Sequence, residues 1–315
     1  MNLIRIEIFT FLLVFLQVSC TEFTPPEAAA RRAAVGALES LTPVQRRAFG
    51  DETGFSPMPK PSPNDWLAQH PEKGQTFQAW WDAHPNLPLS PRKVIHVQPF
   101  GDFDAANQKI LKQLATFMEQ FFCLTVTLET PIPLQGITSR KNPHSGNIQF
   151  LTGDILDAMK RKVPKDAFCV IGVTMQDLYP DPSWNFVFGQ ASLKERVGIF
   201  SLARYDDAFY GKKPGPDQAT IFLRRSAKVM AHETGHMFGI LHDIYYQSLM
   251  SGCNHLAEAD AQPIHLSPLD ERKLQHSVGF DVLARAKNLE TWYRANSLLP
   301  EADWTQKRIA MLTAP

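Results

Sequence analysis

Cysteine is scarce: Cys20, Cys123, Cys169 and Cys253 are the four in 315 residues, and their wide spacing implies no disulfide framework. An excess of charge of either sign is absent too. Lys+Arg and Asp+Glu each number 32, so no global field draws the chain to nucleic acid or to an anionic membrane. Neither GxxxxGK[ST] nor GxGxxG occurs, which removes the common phosphate-binding loops. The apolar run at residues 8–18 is too short to span a bilayer.

That run follows Arg5 and has the length of a signal-peptide core, which predicts export to the cell envelope, the periplasm or the outside. It ends in LQVSC, which resembles a bacterial lipoprotein cleavage box and makes Cys20 a lipidation candidate; Gln17 and Glu7 depart from that pattern. Lipidation at Cys20, plain cleavage and a retained interfacial anchor stay open as routes, the first and last attaching the protein to a membrane. Cys123 and Cys169 sit in apolar runs and are expected as buried thiols.

A chain of this length buries a substantial core, and one catalytic domain with extensions is expected. Residues 1–20 read as the signal and 21–92 as an extension, with a helix in EAAARRAAVGALESL and then a stretch dense in Pro and Trp. From residue 93 the pattern becomes regular. RKVIHVQPF, LTVTLE, AFCVIGVTMQDLY, WNFVFGQAS and RVGIFSLARY predict strands, with helices over 104–122 and in ILDAMKRK. This is an α/β layout of about five strands. A further helix from about Asp217 carries Leu223, Ala227, Met230 and Ala231 on one side, and residues 93–296 read as the catalytic domain, with 297–315 as a tail.

The chemistry concentrates in HETGHMFGILH, residues 232–242. His232 and His236 are four apart, so on a helix both imidazoles project from one face, near enough to share a metal ion. Glu233 lies beside the first of them, where a carboxylate can reach a metal-activated water as a general base. Gly239 permits a left-handed helix end that swings His242 back as a third ligand. Three neutral histidines leave a fourth position open, which marks a catalytic zinc rather than a structural one. The full HExxHxxGxxH spacing arises by chance on the order of once in ten thousand such chains or less.

With ERVGIFSLARYDDAFYG at 195–211 and SGCNHLAEADAQPIHL at 251–266, these residues resemble the archaemetzincins, a family of metzincin-type zinc metalloproteases; DWLAQHP and VIHVQPFG fit more loosely. The resemblance implies an α/β (α+β) metzincin-like zincin fold: a twisted mixed five-stranded sheet, an active-site helix, and a small C-terminal subdomain after about residue 239. It implies a zinc peptidase acting on peptide or protein substrates, with Met250 on a turn beneath the zinc-binding imidazoles. Extended substrate would pair with an antiparallel edge strand, placed at 184–192. Gly252 stands where some metzincins carry a tyrosine ligand. The family also holds a structural zinc on four cysteines, and those positions here read Asp243, Ser248, Ser267 and Asp270. One zinc is therefore expected, not two. A peptide-binding zinc protein without proteolysis is the alternative, and hydrolysis of a non-peptide amide a third.

Overall fold

The run AFCVIGVT is buried at all eight positions in the computed structural model, which describes residues 23–213 and 215–314. An unbroken apolar strand of this kind is covered on both faces of a parallel sheet. In chain order the strands are β1 (Val94–Phe100), β2 (Val126–Leu128), β3 (Ser139–Lys141), β4 (Ile148–Leu151), β5 (Ala167–Thr174, the run above), β6 (Asp177–Tyr179), β7 (Gly189–Ser192) and β8 (Val197–Ser201). The helices are α1 (Ala28–Val35), α2 (Pro43–Gly50), α3 (Trp66–Gln69), α4 (Phe77–Asp82), α5 (Ala105–Phe122), α6 (Thr152–Lys160), α7 (Gln218–Met237), α8 (Leu256–Ala261), α9 (Pro268–Val278), α10 (Val282–Ala295) and α11 (Leu299–Thr313).

The chain divides into two compact units. The unit within Leu87–Met237 holds the main sheet, ordered β2-β1-β5-β8-β7. Its first four strands run parallel and β7 is antiparallel to β8 at the edge. This is the mixed five-stranded α/β sheet expected. A second sheet, β3-β4-β6, was not expected. It arises because AFCVIGVTMQDLY breaks into β5 and β6, which join different sheets. The candidate edge strand is shorter than predicted: residues 189–192 are in register with β8, Phe188 O accepts from Ser201 N at their start, and Val187 bridges to Leu178. Ile155, Leu156 and Met159 of α6 pack with Val170, Val197 and Ile199 in one core cluster.

The other unit joins residues 23–86 to residues 238–314. Here Thr42 closes a capping box with Gln45 at the start of α2, and α2 packs on α9 and α11. The segment 297–315, expected as a tail, carries the 15-residue helix α11 packed along α10.

Cys169 is fully buried as expected, and burial pushes its thiol upward. Cys123 is only half-buried, because it caps α5 in a left-handed conformation (φ 51°) instead of continuing into the core. Residues 1–22, with the signal segment and Cys20, lie outside the described residues. Among the described residues no helix is long and apolar enough to cross a membrane.

Candidate metal centre

Helix α7 is a 20-residue run without proline, and from Ser226 to Met237 all its residues but His232 are buried. Packing therefore fixes the helix that carries the first two histidines. The Nε2 atoms of His232 and His236 lie 3.0 Å apart and their rings meet edge-on, with centroids at 4.6 Å. His242 lies past the end of that helix, beyond the Gly239 turn.

Glu233 is 1% exposed, and neither carboxylate oxygen has a hydrogen-bond partner. Burial pushes its carboxyl up to about 8. An unpartnered buried carboxylate costs stability unless something polar meets it. Two imidazole nitrogens 3.0 Å apart on the helix that also carries this carboxylate match the chemistry of a catalytic zinc site, so the residues present fit that ion.

The helix ends as the sequence predicts. Gly239 has φ +73°, and a Cβ there would stand 3.0 Å from the Pro85 Cβ, so the turn requires glycine twice over. What the sequence did not reveal is how that turn is held. Trp80 Nε1 donates to the Phe238 carbonyl at 2.9 Å, and the Gln75 amide donates to Gly239 O at 3.0 Å while accepting from Leu241 N at 3.1 Å. His242 Nδ1 lies 2.8 Å from Glu72 Oε1, which also accepts from Trp66 Nε1 at 2.7 Å. Burial opposes ionisation of Glu72, but its bonds to His242 and Trp66 hold it below the ordinary carboxylate range. Only the density of Trp and Pro marked this stretch; Glu72 and Gln75 follow no periodic pattern.

A model of peptidase family M54 matches residues 143–269. Archaemetzincin-2 of Macaca fascicularis is 38% identical over 267 residues, which cover 76% of this chain and 74% of that protein. Archaemetzincin-2 of Homo sapiens is 39% identical over the same shares. The chain belongs to the archaemetzincin family. It is accordingly a zinc-dependent metallopeptidase of peptide or protein substrates. The crystal structure of archaemetzincin from Methanopyrus kandleri is 24% identical, with a TM-score of 0.46, over 61% of this chain and 99% of that one.

In this archaemetzincin Met250 is fully buried, and its carbonyl accepts from Asp243 N at 2.9 Å, closing the loop that follows His242. Gly252 has no side chain to offer a metal. A Cβ there would fall 2.4 Å from Trp66 Cδ1.

Asp243, Ser248, Ser267 and Asp270, where the sequence resemblance leads one to expect cysteines, are woven into hydrogen bonds. Asp243 Oδ1 accepts from Tyr245 N and Tyr246 N, Ser248 Oγ from Met250 N, and Ser267 Oγ from Asp270 N. Asp270 pairs with Lys273 at 3.0 Å, both side chains being essentially inaccessible. Burial, then the neighbouring Asp270, push Asp243 up to about 7. His255, within the block at 251–266, caps α8 by accepting from Glu258 N and lies 3.3 Å from Asp65. Glu258 accepts from Trp66 N and Asn254 N, so these groups brace the loop.

Proposed function

We propose that this archaemetzincin hydrolyses peptide bonds at one zinc ion held by His232, His236 and His242, with Glu233 as general base and then general acid. The observation that carries the reading is the pair of imidazole nitrogens of His232 and His236, 3.0 Å apart on one helix, with the Glu233 carboxylate, between them in sequence, buried without a partner. When bound, the ion acidifies water and polarises the scissile carbonyl. Glu233 takes the proton from the attacking water and delivers it to the leaving amine.

Substrate orientation follows from β7. Ser201 N donates to Phe188 O, so in this antiparallel pair Gly189 and Ala191 turn their N–H and C=O away from β8. Those outward groups are the ones an extended peptide pairs with. A single ion is supported by Lys273, whose ammonium already supplies a cation among the aspartates that replace thiolates. Residues 1–20 argue for export, with Cys20 as the lipid-bearing residue and membrane attachment as its result.

The test is digestion of a proteome-derived peptide library by the chain from Thr21, beside a Glu233→Ala control, with zinc content measured in both. Cuts made by the parent and absent from the control establish the chemistry. Equal cutting by both, or none from a zinc-loaded parent, overturns it.

A further inference from the structure

His232 and His236 are aimed by a packed helix, whereas His242 lies beyond its end, after a left-handed turn. A ligand on such a segment needs another group to fix its ring. Glu72 Oε1 sits 2.8 Å from His242 Nδ1, and an ionised carboxylate oxygen only accepts, so Nδ1 carries the hydrogen. The carboxylate is itself held. Trp66 Nε1 donates to the same oxygen, the Trp66 backbone N–H donates to Glu258, and the Trp66 ring meets His242 edge-on at 5.0 Å. Trp66 is 6% exposed and fills the space over Gly252, which leaves the indole little room to turn.

We infer that Glu72 is a positioning residue for the third zinc ligand: its carboxylate locks His242 in the Nδ1–H tautomer, leaving Nε2 to coordinate. The inference rests on the three-histidine zinc reading above. A carboxylate on the far side of a ligating imidazole fixes the ring and raises its basicity, and losing such a partner costs about 10- to 100-fold in metal affinity. Residues 66–80 thereby gain a role beyond wrapping the fold. Gln75 and Trp80 hold the turn, and Glu72 holds the ring it presents.

The experiment compares the full chain from Thr21 with Glu72→Ala and the near-isosteric Glu72→Gln. Zinc affinity is read by competition with a chromophoric chelator, and the His242 tautomer by 15N histidine chemical shifts in the metal-free protein. The d–d spectrum after cobalt substitution reports ligand geometry. The expected result is zinc binding about 10- to 100-fold weaker in Glu72→Ala and less affected in Glu72→Gln, with a changed cobalt spectrum and His242 no longer confined to Nδ1–H. Should Glu72→Ala not fold, Glu72→Gln carries the test through the tautomer and the cobalt spectrum. Affinity within twofold of the parent in the folded variants, with tautomer and spectrum unchanged, overturns the inference alone. A parent that binds no stoichiometric zinc overturns the zinc reading and this inference together.

Discussion

Gly252 and Trp66 share one space: a Cβ on the glycine would lie 2.4 to 2.6 Å from three atoms of the indole. The ring cannot yield easily, since its nitrogen is bonded to Glu72 and its backbone to Glu258. Gly252→Ala is therefore expected to destabilise the protein by ~1–3 kcal/mol through overpacking. Thermal melting of the variant checks this. An unchanged Tm would mean that Trp66 moves aside at no cost.

The second prediction concerns Lys273. Its ammonium and the Asp270 carboxylate are 1% and 0% exposed, and Asp243 and Asp270 each keep one buried oxygen without a partner. Lys273→Met preserves the length of the side chain but leaves buried carboxylates with no cation, a change that costs about 3–5 kcal/mol. The urea midpoint should fall accordingly. Adding Asp270→Asn should recover part of the loss, because one uncompensated charge is then gone. A single variant as stable as the parent would refute the role given to Lys273.

The third concerns pH. His276 lies edge-on against Phe77, Trp80 and Trp81 at 5.4, 6.0 and 4.8 Å. Burial and then the nearby Arg272 hold its pKa below the ordinary histidine value. The unfolded chain thus binds this proton at a higher pH than the folded one. The contribution is complete above the unfolded value, near 6.5, and is lost as pH falls from there through the folded value. The parent should lose more stability between pH 7 and pH 5.5 than His276→Gln does. Denaturation midpoints at the two pH values decide it, and parallel losses would discard the assignment.

Much of the centre was legible because its determinants are local. His232 and His236 are four positions apart, and one glycine sets the turn at 239. The strands were legible for the same reason, β5 above all, whose eight residues form an apolar block. The partners of the third histidine were not. Glu72, Gln75 and Trp80 meet residues 238–242 across separations of 158 to 170 positions, and no local pattern records which residue waits at the far end. The edge strand shows a second kind of failure. A Cβ at Gly189 would sit 2.0 Å from the Phe200 ring, so it is a packing glycine, and nothing in WNFVFGQAS records that contact. A proline at 189 would disturb the β7–β8 pair and does not isolate substrate pairing.

The Glu72–His242 bond carries a consequence for synthesis. Ribosomes make the brace first, then the whole sheet, then the ligand it holds, so a growing chain contains the two helical histidines before it contains a finished ligand set. Closing so wide a separation is a late step in folding. Until residue 242 has been made Glu72 has no ring to hold, so the finished ligand set waits on a contact that spans 170 positions of chain.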